Sequence, residues 1–396
     1  MTRLTDPALS VFSDSYEAAR AQFLRLAEQA GARCEAYPHP NACGADGRPL
    51  TLDTAWLGPS DATTVMVMLS GTHGPESYAG SAIQLAWLQA HQGFQSPSMA
   101  MLLVHGVNPY GWAHSSRTNE HHIDLNRNFT DHPRHDSPSR LTQHVQNILS
   151  GTHARGPRYA SILFGLLRLL LREGMTSVVN EISNGQYSHP QGIGYGGDQP
   201  AWSNRTVTQL LSEQLSQAKN VAIIDWHTGI GDYAQPCFLC FDAPQSPAYQ
   251  RARQWWGEGV ESSQGNYVSG QRPDYQGLLI NAARDIAQSL GADTTAAVIE
   301  MGTYGNLKML NGLLIDRWLR CDADHLSAEQ RAQCQQQVLC LFYPADAYWR
   351  QQVLAHGSTI IQQTLAGLSA DQGLANAPAN KHAPANKHAP ANKKDT

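Results

Sequence analysis

Four residues of this chain have the types and spacing that a catalytic metal site requires. His73 and Glu76 stand three residues apart in His-Gly-Pro-Glu, His227 follows much later, and Glu300 ends an apolar run. Imidazole nitrogens and carboxylate oxygens are ligands of Zn²⁺, and a catalytic zinc site keeps three protein ligands and one open position. We therefore predict one zinc ion held by His73, Glu76 and His227, with Glu300 as the general base of a hydrolysis.

Each of these residues also has an ordinary structural explanation. A His-x-x-Glu pair occurs by chance in many chains, where the Glu caps a helix beside a surface His. His227 would otherwise be a hydrogen-bonded histidine of the core, and Glu300 would need a buried partner to offset its desolvation. The metal site is favoured because three separate stretches of the chain each place one or two of these groups at the end of an apolar run.

Short apolar runs predict the strands that position these groups. Such runs, bounded by turn residues, are typical of buried strands of an α/β sheet. The runs cover residues 64–69, 221–225 and 296–300. Because ligands bind at the carboxyl ends of the strands in open α/β sheets, we expect the candidate side chains to meet there. Asp225 shares a strand face with His227 and is a candidate partner for its imidazole.

The rest of the chain predicts helices around these strands. Helical spacing of apolar residues predicts helices over residues 13–30, 81–89, 202–217, 246–260, 278–290 and 345–368, with a further strand over residues 100–105. This alternation indicates an α/β fold. Residues 162–171, the most apolar stretch, are interrupted by Arg168 and fall short of the roughly 20 residues of a membrane span, so we predict a buried helix. Cys237 and Cys240 favour a buried strand over a redox or zinc motif.

Beyond these residues, the chain resembles the zinc carboxypeptidase family. In that family a His-x-x-Glu pair after one strand and a distant His after another bind zinc. The match extends to Val-Asn-Pro-Tyr-Gly-Trp at residues 107–112, to Ile-Asp-Leu-Asn-Arg-Asn-Phe at residues 123–129, and to Ile-Glu-Met-Gly-Thr-Tyr-Gly at residues 299–305. The resemblance implies a mixed, mostly parallel central sheet flanked by helices, and it implies that Glu300 is the catalytic glutamate.

The same resemblance implies roles in substrate binding. Asn126 and Arg127 would bind a terminal carboxylate of the substrate, and Arg117 would polarise the scissile carbonyl and stabilise the oxyanion. The chemistry of these residue types agrees, because a guanidinium bonds a carboxylate through a planar fork and an adjacent amide adds orientation. Alternatively, Arg127 forms an ion pair with Asp124 or Asp131 on a loop.

The chain departs from the family's pattern between Glu76 and His227, where it is longer. The extra length includes a Gly-rich stretch, residues 184–197, which we expect either to shape the substrate pocket or to form a structural turn. The family's substrate-binding tyrosine is not assigned, because Tyr275 and Tyr304 are both candidates. The desuccinylases and aspartoacylases, a related branch, remove acyl groups from amino acids with the same zinc ligands.

Taken together, these residues predict a zinc-dependent hydrolase that cleaves an amide bond adjacent to a free carboxylate. Its substrate would be a short peptide or, as in the related branch, an N-acyl amino acid. A carboxypeptidase-like binding protein without turnover is a third hypothesis, which Glu300 disfavours because binding alone needs no proton shuttle. The chain contains no Gly-x-Ser-x-Gly motif that would support a serine hydrolase.

Composition limits the partners and the compartment. The formal net charge is −5, from 28 Lys and Arg against 33 Asp and Glu. No positive field therefore attracts nucleic acid or a membrane surface, and we expect neither as a partner. An odd number of cysteines, seven, and a start without an apolar signal segment favour the cytoplasm.

The organisation of the chain follows from the same patterns. We expect one hydrolase domain over residues 1–370, with an N-terminal helix-and-strand addition and a pocket insert near residues 184–200. From Asn376 onward the chain repeats Ala-Pro-Ala-Asn-Lys, and residues 371–396 contain nothing that anchors a core. We predict a disordered cationic tail there, and the oligomeric state is open.

Overall fold

An eight-stranded sheet forms the centre of the protein. The structure is a computed structural model that describes residues 7–44, 46–94, 96–133, 137–153, 156–261, 266–267, 270–271 and 275–375. The sheet comprises β1 (Arg33–Cys43), β2 (Pro49–Leu57), β3 (Thr64–Ser70), β4 (Met99–His105), β7 (Asn220–Gly229), β8 (Pro236–Leu239), β9 (Val260–Glu261) and β12 (Asp293–Gly302). Two-residue strands form two small pairs, β5 (Thr152–His153) with β6 (Gly156–Pro157) and β10 (Asn266–Tyr267) with β11 (Gly270–Gln271).

The strand order of the sheet is β1-β2-β4-β3-β7-β12-β8-β9. The four central strands, β4, β3, β7 and β12, are parallel to their neighbours within that group. Strands β2 and β8 join the group in the antiparallel sense on either side. The sheet is therefore mixed and mostly parallel, as the resemblance implied.

Helices cover both faces of this sheet. They are α1 (Tyr16–Gln29), α2 (Ser77–Ala90), α3 (Pro109–Ala113), α4 (Arg140–Leu149), α5 (Tyr159–Glu173), α6 (Met175–Ser183), α7 (Trp202–Gln214), α8 (Pro247–Trp256), α9 (Leu279–Ser289), α10 (Asn306–Cys321), α11 (Ala328–Phe342) and α12 (Ala347–Ala375). Serine side chains cap the first turns of several of them, as Ser15 does for α1 by accepting a hydrogen bond from the backbone N–H of Ala18. The expected α/β class is confirmed.

Side chains of the central strands alternate between two apolar cores, one on each face of the sheet. In β3, Met66 and Met68 belong to the first core, whereas Val65, Val67 and Leu69 belong to the second. Helices α1, α2, α8 and α12 pack on the first core, and α7 and α9 pack on the second. Because both faces are covered, these strands are continuous apolar runs in the sequence.

The boundaries of several elements differ from the sequence prediction. Strand β7 extends to Gly229, so His227 lies within the strand and not beyond its end. Asn-Pro-Tyr-Gly at residues 108–111 predicts a turn from its sequence. These residues instead begin α3, where the side chain of Asn108 accepts a hydrogen bond from the N–H of Gly111. The strand expected at Cys237 is present as β8, in which Cys237 is half-buried, and Cys240 directly after it is buried.

Helix α5 contains residues 162–171, but the prediction that they form a buried helix is wrong. Only Ile162 and Leu169 of α5 are buried. Large apolar side chains on its other face are exposed, including Leu163, Phe164 and Leu171. Apolar composition alone predicted burial, because the sequence does not reveal that a single face of α5 contacts the rest of the protein.

Helix α12 continues to Ala375, and the remainder of the predicted tail, residues 376–396, lies outside the described residues. Within the ranges that the structure describes, no helix has both the length and the apolar character needed to cross a membrane.

Candidate metal centre

The loop that follows β3 places His73 and Glu76 at the carboxyl end of the sheet. Gly71 turns the chain with a φ of 85°, which a glycine adopts without strain. Gly74 then contacts α3 so closely that a Cβ atom there would overlap the carbonyl oxygen of Gly111. The chain continues as a short 3₁₀ turn, Gly74–Glu76, and enters α2. These backbone contacts fix the positions of both side chains.

Strands β7 and β12 supply His227 and Glu300 from the neighbouring positions of the sheet. The two residues are opposite each other in the parallel register of the two strands. Paired positions project from the same face, so both side chains point toward the loop that carries His73 and Glu76. All four side chains are buried.

His73, Glu76 and His227 converge on one point. Their ligand atoms lie within 4.8 Å of one another, and they form the one group of this kind among the described residues. Glu76 uses one carboxylate oxygen for each imidazole: Oε1 lies 2.9 Å from Nδ1 of His73, and Oε2 lies 3.0 Å from Nδ1 of His227. The two histidines thus present the same nitrogen to the same carboxylate.

Each imidazole is held from behind by a buried aspartate. Nε2 of His73 lies 3.1 Å from Oδ1 of Asp124, and Nε2 of His227 lies 2.8 Å from Oδ2 of Asp225. Thr72 donates a further hydrogen bond to Asp225 at 3.1 Å. Once Nδ1 has lost its proton, as metal binding requires, a carboxylate that accepts the Nε2 proton keeps the Nδ1 lone pair directed at the convergence point.

Sequence analysis identified one of these two aspartates. Asp225 is two residues before His227 on the same strand, and its contact agrees with the proposed partnership. For Asp124, the sequence indicates only a possible ion pair with Arg127. It is 51 residues from His73, and no periodicity connects positions on two loops so far apart in the chain.

Burial and neighbouring charges shift the pKa values of these groups. Burial alone would raise the pKa of Glu76, but His73 and His227 outweigh it and lower that pKa. Burial would lower the pKa of His227, but Asp225 and Glu76 raise it well above the ordinary value. For Glu300, burial and the charge of Glu76 act together and raise its pKa to about 7. Glu76 is therefore ionised, whereas Glu300 can exchange a proton near neutral pH.

Arg117 lies beside the cluster, between two carboxylates. Its Nε donates to Oδ2 of Asp124 at 3.1 Å, and its Nη1 donates to Oε1 of Glu76 at 3.3 Å. Burial would lower the pKa of Arg117, but Asp124 and Glu76 raise it. Asp124 therefore connects His73 to Arg117. Three N–H groups of Arg117 have no hydrogen-bond partner in the part of the chain that the structure describes.

Arg127 is held by backbone carbonyl groups. Its Nη1 donates to the carbonyl of Asn126 at 2.6 Å, and its Nε and Nη2 donate to the carbonyl of Ser183 at 3.2 and 2.7 Å. Two of its five N–H groups are left without a partner among the described residues. Arg127 forms no ion pair with Asp124 or Asp131, both of which are described, so the alternative that it pairs with either one is wrong.

Asn126 is oriented by the start of α9. Its Oδ1 accepts a hydrogen bond of 3.0 Å from the N–H of Leu279, so the amide Nδ2 group remains as a donor, and Asn126 lines the cavity. The ring of Tyr275 lies over the guanidinium of Arg127, with 5.0 Å between Cζ and the ring centroid. Of the two candidate tyrosines, Tyr275 lines the cavity, whereas Tyr304 is exposed outside it.

The Gly-rich stretch packs against Arg127. A Cβ atom on Gly185 would lie 2.5 Å from Cδ of Arg127, and one on Gly196 would lie 2.6 Å from its carbonyl oxygen. The hydroxyl of Tyr187 donates to the same carbonyl at 2.7 Å. Glycine at these positions permits this close backbone approach.

A cavity of about 610 Å³ joins all seven candidate residues. Its charged groups lie in the metal cluster and in the two arginines. The rest of the wall is mostly apolar and comes from α6, α10, the end of α11, strands β8 and β12 and connecting segments, through Met175, Val179, Ile182, Ile193, Leu239, Phe241, Leu278, Val298, Leu307, Met309, Leu310, Leu313 and Phe342. Sequence analysis missed the contribution of α6 and α10, because nothing local marks a helix as the wall of a distant site.

Comparisons with known proteins give a match to one family model. A family model described as "Protein of unknown function (DUF2817)" matches residues 12–356. No curated protein matches the chain.

Solved structures show a distant similarity. Carboxypeptidase A from Helicoverpa armigera is 13% identical over 87% of this chain and 73% of that chain, with a TM-score of 0.44. Bovine thrombin-activatable fibrinolysis inhibitor is 11% identical over 88% of this chain and 97% of that chain, with a TM-score of 0.40. Succinylglutamate desuccinylase from Chromobacterium violaceum is 13% identical over 82% and 77%, with a TM-score of 0.35. These low values assign neither an activity nor a metal to this chain.

Proposed function

Because the chain belongs to the DUF2817 family, which is described as being of unknown function, we propose an activity from its own residues: it is a zinc-dependent hydrolase that cleaves an amide bond next to a free carboxylate. The observation that carries this proposal is the hydrogen-bond arrangement around Glu76. Two imidazoles present Nδ1 to one carboxylate, and each is held at Nε2 by its own buried aspartate.

The donor set fits zinc. Two imidazole nitrogens and one carboxylate are the ligands of many hydrolytic zinc sites, and three protein ligands leave a coordination position open. His73, Glu76 and His227 would hold the ion. Zinc bound there would act as a Lewis acid on the amide carbonyl and would make a water molecule a stronger nucleophile at neutral pH.

Glu300 is positioned to act as the proton shuttle. It lies directly opposite His227 on the adjacent strand, and its Oε2 accepts a 3.4 Å hydrogen bond from the N–H of Ile230. In the proposed reaction it accepts a proton from the attacking water as the oxygen bonds to the amide carbon. It then donates that proton to the leaving nitrogen as the C–N bond breaks. A carboxylate with a pKa near 7 suits both steps.

Arg117 would stabilise the charge that develops on the carbonyl oxygen. Its two carboxylate contacts hold the guanidinium at the edge of the cluster, and its remaining N–H groups are available to an oxyanion. A fixed donor in a buried site stabilises such charge more than water does, because it does not have to reorient.

Asn126 and Arg127 would bind the carboxylate of the substrate. The two unpaired N–H groups of Arg127 and the Nδ2 group of Asn126 border the same cavity as the metal cluster. A guanidinium whose other donors are fixed to backbone carbonyls loses little side-chain entropy on binding. Short peptides and N-acyl amino acids both present a carboxylate near an amide, so either class is a candidate substrate.

A paired substrate panel tests this function. Zinc-loaded protein is incubated with dipeptides and N-acyl amino acids, each also supplied with its carboxylate blocked as an amide. We expect hydrolysis of at least one free acid, with the blocked partner at least tenfold slower in kcat/KM. Equal rates on both members of a pair contradict carboxylate binding. Tight binding of the acids with no hydrolysis favours a binding protein instead.

The seven cysteines bear on the compartment. All of them lie within the described residues, and none forms a disulfide bond there. Cysteines persist as thiols in a reducing environment, so we propose the cytoplasm as the compartment.

A further inference from the structure

Exposed apolar side chains are concentrated on α5 and at the start of α6. Ten large apolar side chains are exposed among the described residues, and six of them fall between residues 159 and 175. They are Tyr159, Leu163, Phe164, Leu167, Leu171 and Met175, which are between 48% and 82% exposed. We call these six side chains the α5 stripe.

Five of the six side chains occupy a single face of α5, and Met175 follows them at the start of α6. With 3.6 residues per turn, Leu163, Leu167 and Leu171 follow one another along the helix, and Phe164 lies beside them. The opposite face carries Ile162 and Leu169, which pack against a small core shared with α4, α6 and α10. Helix α5 is therefore apolar on both faces, a pattern typical of a helix covered on both sides.

We propose that the α5 stripe is the interface of a symmetric dimer, in which α5 packs antiparallel against α5 of a second copy of this chain. This inference does not depend on the proposed activity. The six side chains are each about half exposed or more. A group of neighbouring exposed apolar side chains differs from the single ones scattered over most protein surfaces and is typical of a protein–protein contact.

A twofold axis through Leu167 makes the stripe complementary to itself. Antiparallel pairing about this residue places Leu163 against Leu171 of the second copy. Arg168 projects to the side of the stripe and does not face its own equivalent. Apolar groups thus meet apolar groups on both sides of the axis, as an isologous contact requires.

The charge of the chain favours a second copy over a lipid surface. The only cationic groups between residues 159 and 175 are Arg168 and Arg172, and Glu173 is next to them. Helices that lie on anionic membranes carry many more Lys and Arg on their polar side, and the net charge of −5 adds no attraction. A second copy supplies a matching apolar face without any such requirement.

Dimerisation would also reach the cavity. Met175 and Leu307 both line the cavity and are both largely exposed, so they form part of its rim. Because Met175 belongs to the stripe, the second copy would cover one side of that rim. The pairing would exclude water from the apolar end of the cavity.

Sedimentation of the full chain tests the proposal. We expect wild-type protein at micromolar concentration to have twice the mass of one chain, and Leu167→Glu, which places two carboxylates at the axis, to have the mass of one. The matched control is Tyr348→Glu, which replaces an exposed apolar residue on α12, outside the stripe, and should remain a dimer. A wild-type monomer, including one that sediments with phosphatidylglycerol vesicles, overturns the proposal.

A cross-linking experiment tests the register and does not depend on the effect of a buried charge. Leu167→Cys, in a background with Cys34, Cys43 and Cys340 changed to serine, should form an interchain disulfide on mild oxidation, because its Cα atoms would be close at the axis. Ala160→Cys should not, since an antiparallel pair places its two copies about 21 Å apart along the helix. Cross-linking of residue 160 and not of residue 167 contradicts this geometry.

Discussion

His227 and Glu300 are opposite each other in the parallel register of β7 and β12. Hydrogen bonds of the central sheet therefore set the distance between a metal-ligating imidazole and the candidate base, and no loop contributes to it. Catalytic groups on strands are held more precisely than groups on loops. The loop residues of the cluster, His73 and Glu76, are fixed instead by glycine contacts and by the aspartate behind His73.

Removing the proton-accepting group should abolish turnover and spare the metal. We expect Glu300→Gln to lower kcat at least 100-fold and to retain one bound zinc, because the amide keeps the shape of the side chain but cannot accept the proton. Steady-state kinetics and metal analysis of the same samples measure both quantities. Glu329→Gln, at an exposed position of α11, is the control. Undiminished kcat in Glu300→Gln rules out the shuttle role.

The aspartate behind His227 should strengthen zinc binding. We expect Asp225→Asn to weaken zinc affinity by 10- to 100-fold, because the neutral amide no longer stabilises the Nε2 proton that fixes the imidazole. Competition with a chromophoric chelator measures the dissociation constant. Asp324→Asn, on a fully exposed side chain, should bind zinc as wild type does. Unchanged affinity in Asp225→Asn would contradict the positioning role of Asp225.

Arg127 should act on substrate binding. We expect Arg127→Lys to raise KM at least tenfold for substrates with a free carboxylate, because lysine lacks the planar fork and the bonds to the carbonyls of Asn126 and Ser183. The KM of the amide-blocked partner should change much less. Thermal unfolding of the variant checks that the cavity remains folded. A parallel rise in both KM values indicates damage to the cavity and not a lost carboxylate contact.

His105 should make stability depend on pH. It is fully buried and stacked on Phe23, with ring centroids 4.2 Å apart, and burial followed by the charge of Arg20 lowers its pKa to about 3. Below the ordinary pKa of about 6.5, the unfolded chain binds a proton that the folded chain does not. The free energy of unfolding is therefore unaffected by His105 above pH 6.5. It decreases as the pH falls from 6.5 toward 3, and the loss due to His105 is about 2 kcal/mol at pH 5.

Urea unfolding at pH 7.5 and pH 5 measures this dependence, with a chelator in every sample so that metal release does not contribute. Between pH 7.5 and pH 5, the free energy of unfolding should decrease in both proteins, and the decrease should be about 2 kcal/mol smaller in His105→Gln than in wild type. His144→Gln, which replaces an exposed histidine of α4, is the matched control. The same pH dependence in wild type and His105→Gln contradicts the assignment.

The sequence predicts those parts of the fold in which a continuous apolar run corresponds to a strand that is buried on both faces. β3, β7 and β12 are buried on both faces, so their apolar runs are visible without the structure. The three candidate ligands lie in or just after two of these strands, and Glu300 lies in the third. Their convergence could therefore be predicted from topology alone.

Other features depend on contacts between distant parts of the chain. Asp124 contacts His73, which is 51 residues away in the chain. The carbonyl of Ser183, at the end of α6, accepts a hydrogen bond from Arg127. The exposure of Leu163 and Leu171 is equally invisible in the sequence, because an apolar helix looks the same whether one or both of its faces are covered.

Zinc dependence is the central claim, and a metal titration tests it most directly. Chelator-treated protein is titrated with Zn²⁺, and bound zinc and amide hydrolysis are measured in the same samples, with His73→Ala as the comparison. We predict that the metal-free protein does not hydrolyse the amide, and that activity rises with bound zinc and saturates at one ion per chain. His73→Ala should neither bind zinc tightly nor be active. Full hydrolysis by the metal-free protein, or an active His73→Ala variant, would contradict it.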